Sequence, residues 1–279
     1  MPSMRSIGFM LNDPQRGHVA FRALRQLCSI PSDVDGMGVA TAVDGSVLVS
    51  RKPNQVDGNS LDTLMGPLKG RCGLVRLRSQ NELRPKGNTP NNLGPFRMRH
   101  YGGAVVGGAQ DADEAAHSRD ELLKDLPDFL RRSVAGHSEG EAFFFAVLGW
   151  MHQHSTLERM VQGHDLVRGI QATLEKSEQH PRQIVMITGL ETIIVTHQMH
   201  TAIVNIAGLS EEIATEVDPC LVETSISRQR LRQFKGAFAL GALEGAIEGS
   251  PAPDAGTQVM TQGSNSAWVI GRDLQATAV

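Results

Sequence analysis

Apolar positions come first in short runs, then at helical spacing, then in short runs again. The opening "MRSIGFML" is closed by the turn cluster "NDPQRG", which predicts a buried strand. In "HVAFRALRQLCSI", Val19, Ala23, Leu24 and Leu27 share one helical face. "DVDGMGVATAV" and "GSVLVSRKP" are strand-like runs divided by "DGS", a hairpin signal. "GRCGLVRLRS" sets Leu74, Arg76 and Arg78 on one face of a strand and Gly73, Val75 and Leu77 on the other. "QNELRPKGNTPNNLGP" is too rich in Pro, Gly and Asn for regular structure, and "FRMRHY" and "GAVVGGA" resume strand character. Three helices follow. "SRDELLKDLPDFLRRSV" has a Ser cap and Leu122, Leu126, Phe129 and Leu130 at helical spacing. "SEGEAFFFAVLGWMHQHS" is apolar on most sides, and "TLERMVQGHDLVRGIQATLEKSEQ" is amphipathic with Gly163 and Gly169 inside it. "RQIVMITG", "ETIIVTHQ" and "HTAIVNIAG" return to strand, "FKGAFALGALEGAIEG" fits either type, "EGSPAPDAGTQ" reads as a surface loop, and "AWVIGRDL" closes the pattern.

Strands, then helices, then strands suggest two antiparallel sheets with helices on their outer faces, a pattern that periodicity alone shares with other α+β domains. At 279 residues the length suits one large domain or two small ones. Hydrophobic content is 40% and aromatics only 4%, so the core is aliphatic. A net charge of −3 gives no footprint for nucleic acid, and no apolar run is long enough to span a bilayer. The N-terminus lacks the basic and apolar pattern of a signal peptide. Three cysteines (Cys28, Cys72 and Cys220) have no paired spacing, which favours a reducing compartment over disulfides or a zinc site. The expected location is the cytoplasm.

Four stretches recur in order. "MRSIGFM" resembles the opening strand that carries the nucleophile in class II glutamine amidotransferases, an N-terminal-nucleophile (Ntn) hydrolase family, particularly the stand-alone members that begin Met-Cys-Arg. "DVDGMGVATAVDGSVLVSRKP" is similar to that family's Asp-Gly-Trp-Gly turn and hairpin, with Met37 in the place of Trp. "GLVRLRS…NNLGPFRMRHYGG" resembles the segment whose Arg, His-Pro-Phe and Asn-Gly line the glutamine pocket. "GHSEGEAFFFAVL" resembles the Gly-x-Thr-Asp-Ser-Glu turn that opens a long buried helix. Together they span about residues 4–148. The resemblance implies a single domain over 1–279: an α+β, four-layer αββα sandwich of two antiparallel sheets flanked by helices.

It also implies a chemistry: an N-terminal Cys thiol with its own α-amine as base, an oxyanion site built from an Asn side chain and a backbone N–H, an Arg for the glutamine carboxylate and an Asp for its ammonium. Carried over residue by residue, these positions degenerate. The nucleophile position matches Met4, which has neither thiol nor hydroxyl; Ser3 is the fallback nucleophile, reached only by cleavage after Pro2. The oxyanion Asn-Gly matches Gly102-Gly103, or Tyr101-Gly102 in a register one residue earlier, and neither brings a side-chain amide. Leu74 replaces the His two residues before the Arg, and Gly94 replaces the His of "HPF", although Pro95 and Phe96 remain. Arg76 matches the carboxylate-binding Arg, and Glu139 stands in for the ammonium-binding Asp. As ligand-binding candidates, then, the resemblance nominates Arg76, Glu139, Tyr101, Gly102 and Gly103; no cofactor and no metal are expected.

Bland readings stand beside these. Arg76 could pair with a neighbouring carboxylate, and Glu139 suits a helix N-terminus whatever it binds. Gly107 and Gly108 read as turn residues, and the acidic "GGAQDADE" speaks against a phosphate cradle. His152 and His154 project to different sides of a helix, His164, His197 and His200 are equally bland, and "RQRLRQFK" (228–235) reads as a solvated basic face. The expected function is a catalytically degenerate amidotransferase-like protein, a non-catalytic subunit or binding module of a larger assembly. Its partners would be synthetase-like or glutamate-synthase-like subunits, with glutamine or glutamate as a possible ligand and neither nucleic acid nor membrane as a partner. The apolar "FKGAFALGALEGAI" is the first surface to test for contact. The alternative is an active enzyme that releases ammonia from glutamine for a synthase partner through an unrecognised or processed nucleophile.

Overall fold

Six consecutive buried residues, Ser6–Leu11, form β1 at the centre of a seven-stranded sheet. The computed structural model describes residues 5–27, 34–53, 70–80, 82, 89–154, 157, 162–177, 180–217, 219–241, 257–262 and 265–279; Ser3, Met4 and Cys28 lie outside them. The chain continues through α1 (Gly17–Leu27), β2 (Val34–Val43), β3 (Ser46–Lys52), β4 (Cys72–Ser79), β5 (Phe96–Met98) and β6 (Tyr101–Gly107). Then come α2 (Ala112–Lys124), α3 (Asp128–Arg131), α4 (Glu139–Gln153), α5 (Gly163–Lys176), β7 (Arg182–Ile187), β8 (Thr192–His197) and β9 (Thr201–Ala207). The last elements are α6 (Glu211–Val217), α7 (Ser225–Arg232), β10 (Lys235–Gly241), β11 (Thr257–Gln262), β12 (Asn265–Ile270) and β13 (Ala276–Ala278).

One sheet has the order β11-β9-β10-β1-β4-β2-β3 and the other β13-β12-β8-β7-β6-β5; every recorded pairing is antiparallel. Strand alternation then sorts side chains into three cores. Ile7, Phe9 and Leu11 of β1 pack with Val19, Leu24 and Leu27 of α1 and with Ile213 and Leu231 of α6 and α7. Met10 turns the other way and meets Leu74, Ala104, Val185, Ile194 and Ala239 between the two sheets. Ile184 and Met186 of β7 lie against Phe143, Phe144, Val147 and Leu148 of α4 and Val167 and Ile170 of α5. Three cores separate four layers, helices–sheet–sheet–helices. The central strands of both sheets hide both faces and read as near-continuous apolar runs, while the edge strands β3, β11 and β13 stay partly exposed.

Most of the expected elements are present. The "DGS" hairpin turns through Asp44 and Gly45 at φ 48° and 77°, both in the left-handed region that a two-residue turn of this twist requires. The second helix of the chain starts earlier than expected. Asp111, not Ser118, caps α2 by accepting from the Glu114 N–H at 2.8 Å, and Ser118 sits buried in mid-helix. Pro127 divides the expected helix into α2 and α3, because it lacks an N–H and crowds the preceding turn. The third expected helix begins at Gly163. The start of "FKGAFALGALEGAI" is not an exposed apolar surface: Lys235–Gly241 is a central strand between β1 and β9, with Phe238 and Leu240 buried, and residues 242–247 lie outside the described residues. The short helices α6 and α7 and the edge strands β11 and β13 carry too little periodicity to be foreseen. Among the described residues, no helix is long and apolar enough to cross a membrane.

The two sheets approach so closely at Gly8 that a Cβ there would meet Thr192 Cγ2 at 2.6 Å and Val185 Cγ1 at 3.0 Å. Gly8→Val is expected to cost about 1–3 kcal/mol by overpacking, read by denaturant unfolding; an unchanged midpoint would mean that the sheets can part there without penalty.

Candidate functional site

Where β4 and β6 end and α2 and α4 begin, the layers leave a cavity of about 740 Å3. Arg76 and Arg78 reach it from β4, Val105 and Gly107 from β6, Arg119 and Asp113 from α2, and His137 through Gly140 from the start of α4. The segment 92–96 forms another wall. Arg76 and Glu139, assigned by resemblance to the two ends of a bound amino acid, therefore line one cavity.

Both are already engaged. Arg76 donates from Nε to the Val105 carbonyl at 3.0 Å, from Nη1 to the Leu77 carbonyl and from Nη2 to Glu82. Glu139 is the first residue of α4, where Ser138 caps the helix and accepts from the Glu141 N–H at 3.2 Å. Its Oε1 accepts from the Ser118 hydroxyl at 2.5 Å and from Arg182 Nη2, and its Oε2 accepts from the Ala109 N–H at 3.1 Å. Arg182 is 1% exposed, and its guanidinium lies 5.4 Å from the Phe143 ring centre. The Glu139 carboxylate thus ties α4 to α2, to β7 and to the loop after β6.

That loop shows why no anion cradle forms at Gly107 and Gly108, which have φ values of 82° and 123°. Its amides are taken: Gly108 N–H by the Pro181 carbonyl at 3.2 Å, Ala109 by Glu139, and Gln110 by Glu114 at 3.1 Å. Glu114 also pairs with His180 at 2.8 Å.

Tyr101, Gly102 and Gly103 do not reach this cavity. They open β6, and strand alternation drives them into the two cores on either side. Tyr101 is buried in the helix-side core and donates to the Leu157 carbonyl at 3.4 Å; burial pushes its phenol up to about 12. Gly102 sits against Ile187 and Val47, and a Cβ on Gly103 would meet the Phe144 ring at 2.5 Å. The glycines that line the cavity are Gly107, which ends β6, and Gly108 just after it, and a pair of glycines between a strand and an acid-capped helix is the signal that marks them. Ser118 and Arg182 carried no local signal, since Arg182 lies 43 residues from Glu139 in the chain. Cys72 is buried between the sheets beside Thr192, and desolvation raises its thiol to about 12, leaving it unreactive. Cys220 is exposed, away from the cavity. His152 packs edge-on to Phe129, and His154 stacks on Trp150.

No family profile matches the sequence, and no curated protein matches it. Solved structures do. The chain has the fold of class II glutamine amidotransferase domains, the Ntn-type sandwich of two antiparallel sheets flanked by helices. A glutamine aminotransferase class-II domain protein from Silicibacter pomeroyi matches with a TM-score of 0.53 at 12% identity, over 99% of this chain and 98% of its own. A predicted glutamine amidotransferase from Pseudomonas aeruginosa matches at 0.51 and 13%, over 100% and 96%. The glutamine phosphoribosylpyrophosphate amidotransferase of B. subtilis, complexed with ADP and GMP, matches at 0.56 and 11%; this chain spans 48% of its length. Identities this low establish the fold alone.

The Glu139 knot generates two predictions. Arg182→Met should destabilise the protein by about 3–5 kcal/mol by leaving Glu139 buried without its cation, and adding Glu139→Gln should recover part of that loss. Equal losses in the single and double variants, read by denaturant melts, would count against the pair. Two residues further along α4, Glu141 is 4% exposed; desolvation raises its carboxyl above the usual range, opposed by N–H groups of Ala135 and Gly136 and by Arg51 and Arg119. The folded state therefore holds this proton more tightly than the unfolded chain, so Glu141 favours folding at acid pH and that contribution is lost as pH rises through the raised value. Glu141→Gln should flatten this limb of the stability curve, followed by melts from about pH 4 to 7.

Proposed function

We propose that this chain is a catalytically degenerate class II glutamine amidotransferase-like protein, a non-catalytic subunit or binding module that does not release ammonia from glutamine. One observation carries this reading: the two charged groups assigned to substrate are neutralised by the protein itself. All three guanidinium nitrogens of Arg76 donate to protein acceptors, one of them the Glu82 carboxylate. Both oxygens of Glu139 accept from the protein as well. An incoming carboxylate would have to displace Glu82 from Arg76, and an incoming ammonium would have to compete with Arg182 for Glu139. The position matched to the nucleophile is Met4, a thioether with neither thiol nor hydroxyl. The glycines matched to the oxyanion Asn-Gly are buried in β6, and losing one oxyanion donor alone costs about 10²–10³ in rate. A persisting sandwich with a polar cavity fits a protein kept for contact and for ligand sensing, with synthetase-like or glutamate-synthase-like subunits as partners.

A second reading, an active enzyme with an internal or processed nucleophile, is favoured by one fact: Arg76 and Glu139 still share a cavity of about 740 Å3. A glutaminase assay separates the two. The degenerate reading expects no ammonia above background from the full chain, and calorimetric titration with glutamine and glutamate then reports any binding that remains and its dependence on Arg76→Ala. Turnover abolished by a thiol- or hydroxyl-directed glutamine analogue would overturn the degenerate reading.

A further inference from the structure

A second, smaller cavity of about 160 Å3 lies beside the first and shares only Phe96 with it. It is lined by Arg51 of β3, Arg97 of β5, Asn91, Ser133 and Glu141, with the rings of Phe96 and Phe145 as apolar walls. Its polar groups are unbalanced. Arg51 donates from Nε at 3.0 Å and Nη2 at 2.5 Å to one acceptor, the Pro95 carbonyl, and its guanidinium lies 6.0 Å from the Phe96 ring centre. Arg97 donates from Nη1 to the Val47 carbonyl at 3.3 Å. Both cations thus end on neutral carbonyls. The one carboxylate in the cavity, Glu141, is occupied by backbone donors, Ala135 N–H at 3.0 Å and Gly136 N–H at 2.7 Å. The Ser133 hydroxyl donates back to the Phe129 carbonyl at 2.9 Å. Burial depresses the Arg51 guanidinium; Glu141 opposes that shift and Arg97 adds to it, so the two cations feel each other.

Arg51 is half-buried and Arg97 is exposed; two guanidinium groups lining one small cavity, against one carboxylate already satisfied by amides, repel each other less when an anion bridges them. We infer that Arg51 and Arg97 form a binding site for a small oxyanion group, a phosphate or a carboxylate. The cavity has room for about five waters, so the anionic group fits and a nucleotide does not. Asn91, which is exposed, lines the rim, and the Phe96 and Phe145 rings form the apolar walls. This site is separate from the Arg76 cavity and does not rest on the reading given to that cavity.

The test is calorimetric titration of the full chain with inorganic phosphate at fixed ionic strength, with acetate in a parallel arm to separate the two anion types. Saturable binding of one of them is expected, weakened about tenfold or more by Arg97→Gln, which keeps an amide donor for Val47 but removes the charge. Arg97→Lys keeps the charge and loses the fork, and is expected to bind more weakly than the native chain; it stands in should Arg97→Gln fail to fold. Arg232→Gln, an exposed arginine of α7 paired with Glu211, should leave the affinity within about twofold. The inference is overturned if neither anion saturates, if the Arg97 variants bind as the native protein does, or if Arg232→Gln weakens binding as much as Arg97→Gln. Because the readout is anion affinity, a failure here leaves the glutaminase result untouched, and the reverse also holds.

Discussion

Where the two sheets face each other, Gly8 on β1 lies against Thr192 and Val185, and Gly241 on β10 lies against the side chain of Gln183. That approach leaves room for little but small and aliphatic residues, and Ala40, Ala104, Ala237 and Ala239 fill the layer between them. Two polar contacts lie there: the Ser6 hydroxyl with Gln183 Oε1, and Gln183 Nε2 with Thr201 at 3.2 Å. A buried amide left unpaired at this depth costs about 1–3 kcal/mol, so the pairing matters as much as the packing. With the inner faces locked, each outer face must be covered by helices, and the four layers follow.

The same closeness places the cavity. The sheets part where β4 and β6 end, and the starts of α2 and α4 roof the gap. A gap at the end of a tight sandwich exposes main-chain donors and strand-end side chains, and this protein covers them with its own charges. Glu82 meets Arg76, Asp35 meets Arg78, and Arg182 meets Glu139. Each pair removes a cation or anion that a ligand could have used. The sandwich can hold these charges in structural pairs because it depends on its cores and not on a ligand.

The smaller cavity shows the opposite balance. Arg51 and Arg97 are brought together by the neighbouring edges of β3 and β5, each hydrogen-bonded to a carbonyl among the described residues. Charge is satisfied where the sandwich is deepest and left over where two sheet edges meet. That contrast marks the smaller cavity as a site able to hold an anion, beside a larger one whose charges are already matched.

Local chemistry made much of the fold legible in the sequence. Asp44 and Gly45 specify the hairpin because both central residues of its turn need positive φ. Ser138 three residues before Glu141 specifies the start of α4 through a side-chain cap, and the face of Val19, Leu24 and Leu27 specifies α1. Resemblance to known stretches, a separate argument, nominated Arg76 and Glu139, and both line one cavity. Local chemistry failed wherever long-range contacts decide. Asp111 could not be preferred over Ser118 as a cap until Ser118 was seen turned toward Glu139, and Lys235–Gly241 could not be called a strand until its neighbours were known. The partner of Glu139 is Arg182, on a strand in another layer, and the smaller cavity joins residues from 51 to 145. Backbone propensity and side-chain period act over a few residues, so the sequence by itself determined the elements, their exposed and hidden faces and the residue types at the site. Which charges meet, and which are left without a partner, depends on strands far apart in the chain coming within a few ångströms, and only the tertiary structure decided that.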